Sequence, residues 1–462
     1  MSFLLKKNKN VSLLVAFFII YFILNISKVI ASDFTFKLSI TEALKNSLEL
    51  KAEKYRLESI KHSLEESYSS KDWSNSFTTI YNSSNKQSDF DGSYVNDDTT
   101  TSTISLSKKI FDGGEAFEKA SIAKDNIKIQ EVKLQLTHAK ILLNAVQSYL
   151  NVYTNQSVVS LRKRSLVRFK ENVQATSLKL EAGTVTPTVL AEAQSKLAKA
   201  NYELILAKGD LNNSISQFKS ITKFKVIPNK LSLPVLNFKA PTIESQIIKL
   251  ALKNNPSIII SKFTKSLAEK NIELNKTNNR PSLKLELLLK DNQSSLANAT
   301  SDYQSYGANI TFSSPLFYNN SSKSSLKKLE KLSLASSLDL SEKYRMIELE
   351  AISSFQNYKN SVAKTLASKT EKKSSLLALN GIQKEAEFGI RTVLDELDAE
   401  VEYLNASANL IKSEAEQIYY LLAIKDVLGE LSIKDINESY NDNFILKENK
   451  MNFKILDKKM FN

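Results

Sequence analysis

The feature that most constrains this chain is that it repeats itself. Ala43-Leu44-Lys45-Asn46 recurs as Ala251-Leu252-Lys253-Asn254, and Ile110-Phe111 ahead of a long helical pattern recurs as Leu316-Phe317. Tyr149 and Val152 correspond to Phe355 and Tyr358, and the break at Glu181-Ala182-Gly183-Thr184 to Glu387-Phe388-Gly389-Ile390. These landmarks keep an offset of about 206 residues, so whatever the first half folds into, the second half must fold into again. Each half reads as helix, two strands, very long helix, short break and second helix. In the first half these fall near 39–72, 73–111, 113–182 and 187–222; in the second they fall near 243–278, 283–317, 321–388 and 392–430. The halves span 32–230 and 231–433, joined near Pro228, Pro234 and Pro241 and followed by a polar tail at 434–462.

With 9 Gly and 7 Pro in 462 residues, the chain has few places to turn sharply and long uninterrupted elements follow. The stretch 113–182 holds no Pro and as one helix would be about 105 Å long, far more than a globular core needs. Gly183 can take the left-handed conformation that stops it, while Thr186 and Pro187 supply an N-cap and a favoured first-turn residue for the next helix. That helix packs by heptads through Leu190, Ala193, Leu197, Ala200, Leu204, Ala207 and Leu211. The second half does the same through Leu397, Val401, Leu404, Ala408, Ile411, Ala415, Ile418 and Leu422. These stripes read as core, with Ala allowing close approach, and suggest no cofactor.

Between the helices the period changes to two. Leu283, Leu285, Leu287 and Leu289 alternate with Lys284, Glu286 and Lys290, and Tyr306, Ala308, Ile310 and Phe312 alternate with Gly307, Asn309, Thr311 and Ser313. Segments of about ten residues with one apolar and one polar face suit strands with lipid on one side and water on the other. The first half offers a weaker copy in Phe77, Thr79 and Tyr81 and in Ile104 and Leu106, joined by a polar loop expected over Asn82–Thr101. Four strands cannot close a barrel, and an open edge in lipid leaves backbone groups unsatisfied at several kcal/mol each. Several chains must therefore share one barrel; the alternative is a small soluble β-sandwich on a helical rod.

Lys6, Lys7 and Lys9 precede an apolar run from Val11 to Ile26, and Val29-Ile30-Ala31 offers small residues for cleavage, so 1–31 reads as a signal peptide. An uncleaved anchor is the alternative, for which the run is short. The chain has no Cys, which removes disulfides, thiolate metal sites and cysteine nucleophiles. Its net charge of +13 is mostly dispersed Lys, with only seven Arg, so the excess reads as a solvated surface and not a nucleic-acid site. His62 and His138 are the only histidines, too few and too far apart to suggest a metal or a general base. No phosphate loop, catalytic triad or metal cluster is visible, and no enzyme is expected.

The segment Ser105-Leu106-Ser107-Lys108-Lys109-Ile110-Phe111-Asp112-Gly113-Gly114 before the long helix, within this layout, resembles the TolC family of outer-membrane efflux and secretion channels. More specific is Gly389-Ile390-Arg391-Thr392-Val393-Leu394-Asp395-Glu396-Leu397-Asp398-Ala399, which looks like that family's segment at the periplasmic tunnel entrance. The resemblance covers nearly all of the chain after the signal peptide. It implies a homotrimer whose strands make one 12-stranded barrel in the outer membrane of a Gram-negative bacterium, continued across the periplasm by the helices. It also implies partners: a periplasmic adaptor protein, an inner-membrane pump or ABC exporter, and outer-membrane lipid. The duct itself is passive and serves efflux or type I secretion.

Asp395 and Asp398, three apart and so on one helical face, match the family's acidic rings. Threefold symmetry would bring six carboxylates around the axis, raising some of their pKa values and attracting cations. Arg391 matches the position that ties the closed entrance together, and Thr188 its hydroxyl acceptor. Val189 stands where an Asp is expected and Ala386 where a Tyr is expected, so a gate with fewer closing bonds is anticipated, leaning on Arg391 to Thr188 or to backbone carbonyls. Gly183, Pro187 and Gly389 mark the helix breaks where an adaptor would touch. Two competing readings remain at this point: a periplasmic coiled-coil tether without a pore, and the adaptor itself, which has no need of a two-fold repeat with strands in each half.

Overall fold

The computed structural model describes residues 36–87, 94–223, 231–234, 236, 240–294, 302–317 and 320–433. The segments expected to be a signal peptide, 1–31, and a polar tail, 434–462, lie outside them. In chain order the elements are α1 (Phe36–Asn46), α2 (Leu48–Ser69), β1 (Ser74–Gln87), β2 (Tyr94–Phe111), α3 (Glu115–Glu181) and α4 (Pro187–Thr222). The same series follows as α5 (Glu244–Asn254), α6 (Pro256–Thr277), β3 (Ser282–Ser294), β4 (Tyr303–Ser313), α7 (Asn320–Glu387) and α8 (Val393–Val427). The two long helices have 67 and 68 residues, each about 100 Å at about 1.5 Å per residue.

Two expectations from the sequence change. The first helix of each half is broken in two by a cap. Ser47 Oγ accepts from the Leu50 amide at 3.2 Å, and Asn255 Oδ1 accepts from the Ser257 amide at 2.9 Å with Pro256 in the first turn. Such a cap interrupts the hydrogen-bond ladder without disturbing the apolar spacing, so periodicity runs straight through it. The expected loop 82–101 is also mostly strand: β1 and β2 pair from Ser74↔Ser107 out to Gln87↔Tyr94. Backbone pairing continues past Tyr81, where Asn82, Ser83 and Ser84 lie opposite Thr99, Asp98 and Asp97 and no apolar alternation marks the strand.

The chain divides into two compact units, each drawing on both halves. One takes residues through Leu50, Thr137–Asn254 and Glu348 onward; the other takes Lys51–Leu136 and Asn255–Ile347. In the first, Tyr149 is fully buried between Phe36 and Phe218, with ring centroids 5.1 and 6.4 Å away, and its hydroxyl donates to the Ser232 carbonyl at 2.8 Å. Further along, α3, α4 and α8 share a core of Phe169, Ala193, Ala200 and Leu397, the heptad positions anticipated for α4 and α8. Near the end of α8, burial pushes the Asp426 carboxyl up to about 6, with Glu350 adding like-charge repulsion.

Because this acid binds its proton more tightly when folded, the folded state loses relative stability as pH rises from about 4 to about 6, and the penalty stays in full above that window. Asp426→Asn should therefore raise thermal stability at pH 8 by up to about 3 kcal/mol and leave it nearly unchanged at pH 4. The check is the melting of the purified protein at the two pH values.

In the second unit α3 and α6 are held by Asp125, a buried carboxylate that pairs with Lys270 Nζ at 2.6 Å and accepts from Ser266 Oγ at 2.7 Å. The sheet is antiparallel throughout, in the order β1-β2-β3-β4. Where β2 turns into α3, Asp112 accepts from the Gly114 and Ala116 amides at 3.0 and 2.9 Å. Burial opposes its ionisation, but those amides and the charge of Lys71 hold the carboxyl below its usual range. Gly113 and Gly114 have φ of +66° and +91°, and Arg280 Nη1 donates to the Gly113 carbonyl at 3.0 Å.

Candidate functional site: a two-faced sheet and an acidic helix start

The register sorts the sheet into faces. Phe77 lies opposite Ile104, Ile104 opposite Leu289 and Leu289 opposite Tyr306. The neighbouring rows on that face join Asn75, Leu106, Leu287 and Ala308, then Lys108, Leu285 and Ile310, then Phe111, Leu283 and Phe312. These four rows extend about 20 Å along the strands at about 3.3 Å per residue. Most of these side chains are open, with Phe77 70%, Ile310 73% and Tyr306 91% exposed, far more contiguous apolar surface than a soluble face tolerates. The opposite face reads Ser74, Ser107, Glu286 and Asn309 in one row and Thr78, Thr103, Lys290 and Ser305 in another, with Ile80, Leu288 and Tyr303 as its apolar exceptions.

The sheet does not close. Among the described residues β1 pairs only with β2 and β4 only with β3, so both outer edges carry unpaired backbone groups. No helix among the described residues is long and apolar enough to cross a membrane.

In the first unit, the turns after α3 and α7 are built alike. Gly183 and Gly389 have φ of +74° and +75°. The Thr184 amide returns to the Lys179 carbonyl at 2.9 Å and the Ile390 amide to the Glu385 carbonyl at 2.9 Å, closing the same left-handed cap in each half. The helices that follow begin differently. In α4, Thr186 makes no side-chain cap bond and Pro187 occupies the first turn, with Thr188 exposed beside it. In α8, Thr392 and Asp395 form a reciprocal capping box: Asp395 Oδ2 accepts from the Thr392 amide at 2.9 Å and from its hydroxyl at 2.7 Å, while the Asp395 amide donates to Thr392 Oγ1 at 3.2 Å. Val189, at the equivalent place in α4, cannot do this.

These bonds from the Thr392 amide and hydroxyl, with the nearby charges of Arg391 and Lys196, hold the Asp395 carboxyl below the ordinary range. The repulsion expected among six carboxylates belongs to a threefold ring; within one chain the Asp395 carboxyl is lowered. Arg391 Nε donates to Glu385 Oε2 at 2.9 Å, back across its own turn. Among the described residues no hydrogen bond joins Arg391 to Thr188; the nearer Glu385 carboxylate takes the guanidinium and raises its pKa. Ala386 supplies only its carbonyl, to the Gly389 amide at 3.0 Å. Asp398, one turn after Asp395, pairs with Lys196 of α4.

The sequence profile of the outer membrane efflux protein family matches residues 39–222 and again residues 247–430. The chain belongs to that family. Its double match falls on the two halves whose landmarks repeat. Among individual relatives, the outer membrane protein TolC of Escherichia coli (strain K12) is 24% identical over 369 residues, covering 77% of this chain and 74% of that protein. The alkaline protease secretion protein AprF of Pseudomonas aeruginosa is 21% identical over 356 residues, covering 76% and 74%. Among solved structures, the Campylobacter jejuni CmeC outer membrane channel superposes with a TM-score of 0.72 at 18% identity, covering 90% of this chain and 89% of that one. The fold is thus that of the family's channels, mostly helical with four antiparallel strands. As a member of the outer membrane efflux protein family, the chain is a duct and not an enzyme.

Two contributors at the helix start of this efflux protein escaped the sequence reading. The capping role of Asp395 was visible as Thr392-x-x-Asp395 ahead of an apolar run, a helix-start signature. Lys196 carried no local signal, because its partner lies 202 positions away.

Proposed function

We propose that three copies of the chain share one 12-stranded barrel in the outer membrane, that their helices continue it across the periplasm, and that the turns after α3 and α7 form a gate at its far end. The observation that carries this reading is the sheet. It has two unpaired edges among the described residues and one face that is mostly apolar, with Asn75 and Lys108 toward its β1 side, a combination stable in lipid only if copies of β1 and β4 pair between chains until the ring closes. Exposed apolar side chains on α7, among them Leu338, Leu349, Leu366 and Leu377, offer neighbouring copies further surface to cover. In such a ring the face of Glu286 and Lys290 lines water, and Asp395 and Asp398 of three chains approach the axis.

Arg391 and Thr188 belong to the same gate. Arg391 bonded to Glu385 braces its own turn, and in the assembled ring its remaining donors are available to a neighbouring chain. Gly183, Pro187 and Gly389 present the helix ends to a periplasmic adaptor. An inner-membrane pump or ABC exporter supplies the energy, because nothing in this chain binds a nucleotide by any motif it carries. The family's description as efflux proteins and the name of AprF, an alkaline protease secretion protein, bracket the cargo between efflux and protein secretion.

The test is an image of the detergent-solubilised particle together with fractionation. A heat-modifiable outer-membrane trimer enclosing a lumen is expected. A soluble periplasmic monomer without a hollow centre would replace the duct with a coiled-coil tether.

A further inference from the structure

We propose that Lys196 is the built-in counter-cation of the acidic constriction and that it sets how strongly the passage attracts cations. This rests on the reading that Asp395 and Asp398 face the axis. Lys196 stands on α4, on the heptad face beside Ala193, Leu197 and Ala200, which carries its stem toward α8. Its ammonium pairs with Asp398, and its charge also reaches Asp395. One lysine therefore serves both acids.

Three observations separate this contact from an incidental surface pair. Glu192 lies one turn earlier on the same helix, in the favourable i,i+4 order with Lys196, yet among the described residues the lysine's ion pair is with Asp398 across to α8. The side chain of Lys196 is only 27% exposed while that of Asp398 is 70% exposed, so the cation is fixed behind the acid and the acid is left facing outward. The other charges at this helix start are already committed elsewhere: Arg391 to Glu385, and Glu396 to Gln383 at 3.3 Å. Arg391 adds its charge at Asp395 while its guanidinium is bonded to Glu385; Lys196 is the cation that pairs directly with a ring acid, Asp398, and reaches Asp395 as well. In a threefold ring, three such lysines would halve the net charge of six carboxylates. The passage would then hold a moderate negative field, enough to admit cations without trapping them.

The test is single-channel recording in planar bilayers with hexamminecobalt(III), a trivalent cation that keeps its ligands and so reports field and not coordination. Lys196→Met should tighten block by about tenfold at low ionic strength, and Lys196→Arg should stay near wild type. Asp398→Asn breaks the same pair from the other side and should weaken block. A contact that served only to hold α4 on α8 would shift both variants in one direction, and that result would overturn the proposal. So would block unchanged in Lys196→Met while Asp395→Ala with Asp398→Ala abolishes it; the acidic constriction would then stand without Lys196. If the double alanine variant is blocked like wild type, the constriction reading fails and the role of Lys196 falls with it. Heat-modifiable trimer in each variant's membranes shows that the recorded channels are folded.

Discussion

Arginine at Leu287 should abolish assembly in the outer membrane, whereas arginine at the adjacent Leu288 should leave it largely intact. The two residues are neighbours on β3 with the same side chain, so propensity and volume cannot distinguish them. The register does. Leu287 lies between Leu106 and Ala308 in an inner row of the apolar face, while Leu288 lies between Ser105 and Gly307 on the polar one. A guanidinium on the lipid side near the middle of a barrel costs about 2–4 kcal/mol, and on the water side it is tolerated. Threefold symmetry makes each lesion appear three times in one assembly. The measurement is the amount of heat-modifiable trimer in outer-membrane fractions. Equal loss in both variants would mean that the faces are not divided between lipid and water.

That division was legible in the second half of the sequence and faint in the first, for a physical reason. Leu283, Leu285, Leu287 and Leu289 alternate with Lys284, Glu286 and Lys290, broken only at Leu288, whereas Ser, Thr and Asn fill much of both faces of β1 and β2, so their period is hidden although the backbone ladder continues to Gln87. Helix lengths were legible because α3 and α7 contain neither Pro nor a cap until Gly183 and Gly389. The break at Ser47 was not, since a single capping side chain leaves the apolar spacing on either side in step; the break at Asn255 is written in Asn255-Pro256, a helix-start pair that the apolar period passes over.

The acidic helix start shows a sharper limit. Residue identity pointed to Asp395, Asp398 and Arg391, but not to what each touches. Asp395 is held by Thr392 three positions away, Arg391 by Glu385 six positions away, and Asp398 by a lysine from the other half of the chain. The nearest of these contacts follows from a local motif. The farthest depends on how α4 lies against α8, which no one-dimensional pattern contains. It also follows that Asp395 has two roles that a single alanine substitution removes together, a charge on the proposed constriction and the cap that starts α8. Asp395→Asn keeps a capping oxygen while removing the charge, and is the cleaner probe of the field.

Gly113→Ala should damage the protein far more than Gly389→Ala, although both glycines have positive φ. At Gly389 a Cβ would meet nothing within 4 Å, so alanine there suffers only the left-handed backbone penalty, about 1 kcal/mol. At Gly113 the same atom would stand 2.8 Å from Arg280 Cβ and 3.2 Å from the Pro281 carbonyl oxygen. Neither neighbour can move alone. Arg280 Nη1 is bonded to the Gly113 carbonyl at 3.0 Å, and Arg280 and Pro281 form the link from α6 into β3. Relief would have to shift the strand start, and with it the pairing of Phe111 with Leu283, beside which the register already slips by one residue. Strain and overpacking together come to about 2–4 kcal/mol, repeated in each copy of the proposed trimer. Gly113→Ala is therefore expected to lower the temperature at which the heat-modifiable trimer dissociates and to reduce its yield, with Gly389→Ala close to wild type in both. Because Gly113 joins β2 to α3 in one half and touches the α6 to β3 link of the other, its loss tests whether the two halves are locked together at the point where helix becomes strand. A Gly113→Ala protein as stable as Gly389→Ala would show that this joint yields, and that the two strand pairs are aligned by the sheet alone.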